Sequence, residues 1–201
     1  KEKIHEWAEQ LGFCQVGFSD TKLDDHGKRL QNWLKAGLNA DLKYMADYGN
    51  MRWTPDRLKP GTLSIISLRI NYLEKEPASK KILEDRSKGF ISKYAQGRDY
   101  HRTIRAKLKL LEKKIKLFCA ENSISGFESR LITDSAPLLE KAVAEKAGLG
   151  WIGKNTLLIN KTSGSYFFLG EILTNLPLAD KVSEQPNLCG TCQACIKTCP
   201  T

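Results

Sequence analysis

The most regular alternation of apolar and polar positions lies between residues 100 and 121. Apolar side chains recur there every three or four residues, which is the spacing of one face of an α-helix. The apolar stripe consists of Ile104, Leu108, Leu111, Ile115 and Phe118. Lysines occupy many of the intervening positions, so the sequence predicts a long helix with one buried face and one charged face.

Shorter patterns predict further elements on both sides of this helix. Helical spacing or a terminal glycine indicates helices at residues 3–11, 30–37, 41–48 and 138–147. Runs of branched apolar residues indicate strands at 14–18, 62–72, 129–133, 156–160 and 165–176, the last two around a Thr162-Ser163-Gly164 turn. Because helices and strands intermix without a repeat, we predict an α+β fold, similar to α/β, with a central sheet flanked by helices.

The charge balance favours a polyanionic partner. The chain contains 32 Lys and Arg against 23 Asp and Glu, which gives a formal net charge of +9. Cationic side chains placed on phosphates release counterions, so nucleic acid is a reasonable partner. A solvated helix face explains the basic residues between Arg102 and Lys116 equally well.

No apolar run approaches the roughly 20 residues that cross a bilayer. The chain also starts with an amphipathic pattern at Lys1 instead of an apolar signal core. We therefore expect a cytoplasmic protein that does not contact membranes.

Four of the six cysteines fall in one segment, Cys189-x-x-Cys192-x-x-Cys195-x-x-x-Cys199-Pro200. In ferredoxin-type proteins this spacing places three thiolates on one 4Fe-4S cluster and the fourth on a second cluster. A structural zinc site is the alternative, but zinc motifs usually pair two separated Cys-x-x-Cys units. The other two cysteines, Cys14 and Cys119, stand alone in apolar surroundings and are expected to be buried.

Two such clusters need eight thiolates, and the motif supplies four. We therefore expect the remaining ligands beyond Thr201, with residues 1–180 as the main domain and 181–201 as the start of a ferredoxin-type domain. Alternatively, the motif cysteines are free thiols in this chain.

Several further blocks resemble, in order, those of the epoxyqueuosine reductase family. They are residues 94–101 (YAQGRDYH), 134–137 (DSAP), 144–155 (AEKAGLGWIGKN) and 164–172 (GSYFFLGEI), preceded by the region of Arg52, Thr54 and Pro55. Their position before the cysteine motif also matches, and together they cover nearly the whole chain. No dinucleotide fingerprint follows a predicted strand, so a Rossmann site is not expected.

The resemblance implies a monomeric enzyme that reduces epoxyqueuosine to queuosine at the wobble position of tRNA. It implies cobalamin bound between this domain and two 4Fe-4S clusters, which take electrons from an external donor. The family's catalytic proton donor is an aspartate that matches Asp134. The blocks that resemble those lining the cofactor contain Arg52, Tyr94, Asp134, Lys154, Asn155 and Ser165. Two further residues are expected at the same cofactor site: Lys141, one turn into the helix predicted from Leu138, would help position the substrate, and Trp151 would stack on the corrin or on the modified base.

Several of these assignments have alternatives. Asp134 stands between a predicted strand and a predicted helix, where an aspartate commonly caps the helix. His101 is expected to be structural or near the RNA, because the family is thought to hold cobalamin without a histidine ligand. For the whole protein, the alternatives are a related reductase of small molecules such as organohalides and a ferredoxin-like electron carrier without catalysis.

Overall fold

A computed structural model describes residues 1–73, 79–179 and 186–200 of the chain. Its strands are β1 (Gln15–Ser19), β2 (Ser64–Asn71), β3 (Ser129–Ile132), β4 (Trp151–Ile152), β5 (Leu158–Ile159) and β6 (Phe167–Thr174). Four of them form an antiparallel sheet in the order β1-β2-β6-β3, while β4 and β5 form a separate pair. The predicted α+β class with a central sheet is confirmed.

The helices surround this sheet. They are α1 (Glu2–Gln10), α2 (Asp24–Lys35), α3 (Pro55–Leu58), α4 (Ser79–Glu84), α5 (Tyr100–Glu121), α6 (Glu140–Lys146) and α7 (Ala194–Thr198). The long amphipathic helix spans the predicted residues, and Asp99 caps it by accepting a hydrogen bond from the backbone N–H of His101. The helix predicted at 41–48 is instead a 3-10 turn at Lys43–Met45, and further 3-10 turns occupy Gly49–Trp53 and Lys93–Ala95.

The two faces of the sheet pack against different helices. On one face, α1 and α5 bury a core that contains Ile66, Leu68, Ile104, Leu108, Leu111 and Ile172. Gly170 permits this close approach, because an added Cβ would lie 2.8 Å from a methyl group of Ile104. On the other face, α6 packs Ala142 and Val143 against a second core. This second face carries the candidate functional site.

The strands predicted at 156–160 and 165–176 do not pair with each other. The turn between them exists, since Asn160 and Gly164 exchange two backbone hydrogen bonds. Beyond the turn the strands separate: the two residues of β5 pair with β4, whereas the eight residues of β6 pair with β2 on one side and β3 on the other. The long apolar run of β6 thus has backbone partners on both sides in the centre of the sheet.

The helix predicted at 138–147 begins later, at Glu140. The backbone N–H of Leu139 instead donates to the carbonyl oxygen of Arg52, which ties the preceding loop to the neighbouring 3-10 turn. Cys119 is buried as predicted. The prediction for Cys14 is wrong: this residue is exposed, because it lies just outside the edge strand β1.

The predicted domain boundary at 180/181 falls on residues 180–185, which lie outside the described residues. Among the residues that are described, no helix combines the length and apolar character needed to cross a membrane.

Candidate functional site

A cavity of about 910 Å³ lies between α2, α6 and the beginning of β6. Its apolar wall includes Trp33, Leu139, Ile152, Phe167, Phe168 and Leu169. Its polar groups include Arg52, Tyr100, Asp134, Glu140 and Lys141. A large apolar cavity with a few converging polar groups is the usual form of a ligand site.

Asp134 lies at the rim of this cavity, two residues after β3. Its side chain is 65% exposed, and its backbone has a φ of 52°, in the left-handed region that non-glycine residues rarely adopt. The backbone N–H donates to Oε1 of Glu140 at 2.7 Å. The alternative that Asp134 caps the next helix is wrong, because α6 begins at Glu140 with Leu139 at its N-cap.

The carboxylate of Asp134 contacts two side chains from the start of α5. The Tyr100 hydroxyl donates to Oδ2 at 2.5 Å, and Nε2 of His101 lies 3.3 Å from the same oxygen. Nδ1 of His101 lies 2.9 Å from Oδ1 of Asp99, so the imidazole is positioned between two carboxylates. Burial, followed by the hydrogen bond to Asp134, raises the pKa of Tyr100, so its hydroxyl remains a donor at neutral pH.

Tyr100 also connects this cluster to the cavity wall. Its ring stacks on Phe168 at 4.1 Å and on His101 at 4.0 Å. Sequence reasoning missed Tyr100 and treated His101 as structural or near the RNA, although both residues lie in the YAQGRDYH block. That block was the available signal, because it placed both residues beside predicted cofactor positions.

Arg52 and Lys141, both predicted to hold the cofactor, line the cavity as well. Arg52 is buried and donates to the carbonyl oxygens of Asp47 at 3.2 Å and Tyr44 at 2.6 Å. Nζ of Lys141 donates to the carbonyl oxygen of Thr156 at 2.6 Å, and burial lowers the pKa of this lysine. In this structure both cations therefore hold the loops that form the wall.

The other predicted cofactor residues do not line this cavity. Tyr94 is exposed in the turn before α5, close enough to Tyr100 to contribute to its raised pKa. Asn155 accepts a hydrogen bond from the backbone N–H of Leu157 within a turn, and Ser165 lies partly buried just before β6. Their assignment to a cofactor stays a prediction.

Trp151 and Lys154, the remaining two, lie against the cysteine segment. Nζ of Lys154 donates to the carbonyl oxygens of Gly190 at 2.8 Å and Cys192 at 2.9 Å. The buried indole N–H of Trp151 makes no hydrogen bond of ordinary geometry with any described residue. It nevertheless lies close enough to Cys189 to lower the pKa of that thiol, and Lys154 contributes to the same shift.

Replacing Trp151 with phenylalanine should therefore slow the alkylation of Cys189 near neutral pH. The variant removes the N–H that stabilises the thiolate, which is the reactive form. Iodoacetamide trapping of the metal-free protein, followed by peptide mass spectrometry, measures the rate. Trp7→Phe, which alters a tryptophan packed on Phe118, is the control and should leave the rate unchanged. Equal rates of Cys189 alkylation in Trp151→Phe and Trp7→Phe would contradict an interaction between the Trp151 indole and the Cys189 thiol.

The chemistry of the cysteine segment suits iron and sulfur. Cys189, Cys192, Cys195 and Cys199 supply four thiol side chains, and a lowered pKa at Cys189 favours the thiolate that binds metal. Within residues 1–73, 79–179 and 186–200, no three His, Cys, Asp or Glu side chains are grouped closely enough to hold a metal ion. The donor set therefore fits an iron-sulfur cluster in residue type.

Comparisons with known proteins point to one family. The family model described as "Epoxyqueuosine reductase QueG, DUF1730" matches residues 52–135. The epoxyqueuosine reductase of Pseudomonas aeruginosa is 48% identical over 200 residues, which cover 100% of this chain and 54% of that protein.

Solved structures agree with this relationship. An epoxyqueuosine reductase crystallised with an epoxyqueuosine-modified tRNA-Tyr stem loop matches with a TM-score of 0.85 and 29% identity, over 100% of this chain and 51% of that one. The Bacillus subtilis enzyme, solved with its aspartate-bearing catalytic loop swung out of the active site, matches with a TM-score of 0.82, 29% identity and the same coverage. The chain spans about half the length of the curated relatives it matches. It belongs to the epoxyqueuosine reductase family.

Proposed function

We propose that this chain provides the cobalamin-binding, catalytic part of an enzyme that reduces epoxyqueuosine to queuosine in tRNA. The observation that carries this proposal is the position of Asp134 at the rim of a 910 Å³ cavity, with its carboxylate bound by Tyr100 and close to His101. A relative with an aspartate in its catalytic loop and a relative bound to the modified stem loop both support it. A pure electron carrier needs no cavity of this size.

The cavity suits a large, flat, largely apolar cofactor. Phe167, Phe168 and Ile152 offer apolar surface, while Asp134 and Lys141 provide polar atoms at its edge. Arg52 holds the wall opposite by its two backbone contacts. These residues would hold cobalamin, which when bound would supply the electrons for the reduction.

Asp134 supplies the proton in this proposal. An epoxide loses its oxygen as water, which takes two protons as well as two electrons, so an acid must protonate the departing oxygen. Tyr100 donates to Oδ2 of Asp134, which orients the carboxyl group and leaves Oδ1 to carry the transferable proton. His101, between Asp99 and Asp134, can return a proton to Asp134 after each turnover.

We further propose that residues 1–180 form the cofactor domain and that 181–201 begin a ferredoxin-type domain whose two 4Fe-4S clusters take electrons from an external donor. The cysteine spacing and the contact of Lys154 with this segment support that arrangement.

The excess of basic residues, many of them on α5, favours binding of the tRNA backbone. We expect the protein to act as a monomer.

The natural full-length protein, loaded with cobalamin and given a chemical reductant, should convert epoxyqueuosine in tRNA to queuosine. Mass spectrometry of the digested nucleosides measures the product, and reactions without cobalamin are the control. A protein that accepts electrons but leaves epoxyqueuosine unchanged would contradict the proposal in favour of a carrier. Failure to bind the modified anticodon stem loop would instead favour a reductase of small molecules.

A further inference from the structure

Two glutamates next to Asp134, Glu140 and Glu171, have no part in the proposed reaction. Glu171, in the central strand β6, is completely buried, and neither carboxyl oxygen has a hydrogen-bond donor among the described residues. Its cross-strand neighbour on β2 is Ser67, whose buried hydroxyl also lacks a partner there. A buried carboxylate without a donor is costly, so Glu171 must keep a proton or share one.

The group that can share this proton is Glu140, the first residue of α6. The side chains of Glu140 and Glu171 lie close enough to form a hydrogen bond. Two ionised carboxylates cannot form one, because neither carries a donor, so one proton must lie between them. Two carboxyl groups that share one site commonly retain a single proton between them, because two neighbouring negative charges repel each other.

The electrostatics indicate which oxygen carries the proton. Burial and the charge of Glu140 raise the pKa of Glu171 well above its ordinary value. Burial also raises the pKa of Glu140, to about 7, while its hydrogen bond with Glu171 acts in the opposite direction. Glu171 is therefore the donor of the pair and Glu140 the acceptor.

Glu140 makes a second contact that connects this pair to the candidate acid. Its Oε1 accepts the backbone N–H of Asp134 at 2.7 Å. Asp134 is the residue with a φ of 52°, a conformation that costs of the order of 1 kcal/mol or more and needs support from its surroundings. The Glu140 oxygen supports the backbone of Asp134, while Tyr100 and His101 contact its carboxylate.

We propose that Glu140 and Glu171 share one proton and that this pair is a positioning device that holds Asp134 in its left-handed conformation. The inference rests on the proposed function, in which Asp134 is the proton donor. The groups that face the pair are Asp134, Tyr100 and His101, with Ser67 on β2 and the apolar Ile132 on β3 beside Glu171. Loss of the shared proton places a second negative charge beside Asp134, so the position of Asp134 becomes less stable as pH rises.

Infrared difference spectroscopy tests the shared proton without substrate or cofactor. At neutral pH the wild-type protein should show the C=O stretching band of a buried protonated carboxyl group, distinct from any band of the exposed Asp134, and Glu171→Gln should abolish this band. Glu128→Gln, at an exposed carboxylate paired with Lys59, is the matched control and should leave the band unchanged. Absence of the band from the wild type, or its persistence in Glu171→Gln, would overturn the proposal whether or not the protein reduces epoxyqueuosine.

Thermal unfolding gives a second measure of the same proton. The folded protein holds a proton on Glu171 that the unfolded chain releases above its ordinary pKa of 4.5, so this group's contribution to stability falls as pH rises above that value. The glutamine variant lacks this loss, because its amide donates to Glu140 without titrating. The Tm of Glu171→Gln relative to wild type should therefore increase between about pH 5 and pH 8. A Tm difference between the two proteins that stays the same from pH 5 to pH 8 would contradict the shared proton.

Hydrogen exchange and kinetics test the positioning. In Glu140→Leu the backbone N–H of Asp134 loses its acceptor, so its exchange should become faster, and kcat should fall about 10- to 100-fold with little change in KM. Glu140→Gln keeps an acceptor oxygen, so the Asp134 N–H should exchange almost as slowly as in the wild type and kcat should be close to the wild-type value. Unchanged exchange at Asp134 in the leucine variant would refute the positioning role, whereas inactivity of the wild type would refute only the proposed function.

Discussion

Replacing Asp134 with asparagine should lower kcat for epoxyqueuosine reduction by about 100- to 10,000-fold, the range that general acids usually contribute. The amide has nearly the same shape and can still accept the Tyr100 hydroxyl, so the loop and the cavity should be preserved. It has no acidic proton for the departing oxygen. The KM for tRNA should therefore change little, and product formation under single-turnover conditions measures the chemical step.

Asp25→Asn provides the matched control for this variant. Asp25 lies on α2 with its side chain 84% exposed and paired only loosely with Lys28, so the same chemical change there should leave kcat unaltered. Cobalamin binding, followed by the visible spectrum, should be retained in both variants. An Asp134→Asn enzyme with kcat within about threefold of wild type would remove Asp134 from the role of proton donor.

Replacing Gly17 with alanine should destabilise the fold by about 3 kcal/mol or more, because the core there has no room for a methyl group. An added Cβ would lie 2.0 Å from the carbonyl oxygen of Ala147 and 2.6 Å from a methyl carbon of Leu149. The first contact is with backbone, so α6 would have to move away from β1. Chemical denaturation measures the free energy of unfolding, and a Tm decrease of about 6 °C or more is expected.

Gly89→Ala is the control for this packing prediction. Apart from Gly89 itself and its two chain neighbours, no described residue has an atom within 4 Å of an added Cβ there, so the variant should unfold like the wild type. A Gly17→Ala protein as stable as the Gly89→Ala protein would show that α6 and β1 do not approach as closely as the structure indicates. Because α6 carries Glu140 and Lys141, the same displacement should also weaken cofactor binding.

The elements that the sequence predicted well are those whose pattern is local. The 22 residues of α5 repeat one apolar stripe over six turns, and the eight residues of β2 include the branched apolar residues Ile65, Ile66, Leu68 and Ile70. Strand pairing is a tertiary property, so the sequence predicted two strands around a turn but not which strands β5 and β6 pair with. The turn at Asn160 is the same in both arrangements, and only the long-range partners distinguish them.

The candidate site likewise contains some residues that the sequence identified and others that only the fold brings together. Asp134 and Arg52 were identified because they lie in blocks that resemble a known family, and Lys141 because it lies one turn into the helix predicted after Asp134. All three line the cavity. Tyr100 and Glu171 were not identified, since each reaches the site from an element more than 30 positions away from Asp134 in the chain. In the sequence, Glu171 is one acidic residue in an apolar strand, and only the fold brings Glu140 next to it.

The contact between Lys154 and the cysteine segment has a consequence for electron transfer. Ile152 lies in the cavity wall, and Lys154, two residues later, donates to the carbonyl oxygens of Gly190 and Cys192. In the proposed enzyme, this short stretch of backbone would set the distance between the cluster ligands and the cofactor. We therefore expect insertions or deletions between residues 179 and 186 to leave the distance between the proposed cluster and the proposed cofactor nearly constant, because the contacts of Lys154 with Gly190 and Cys192 lie outside that range.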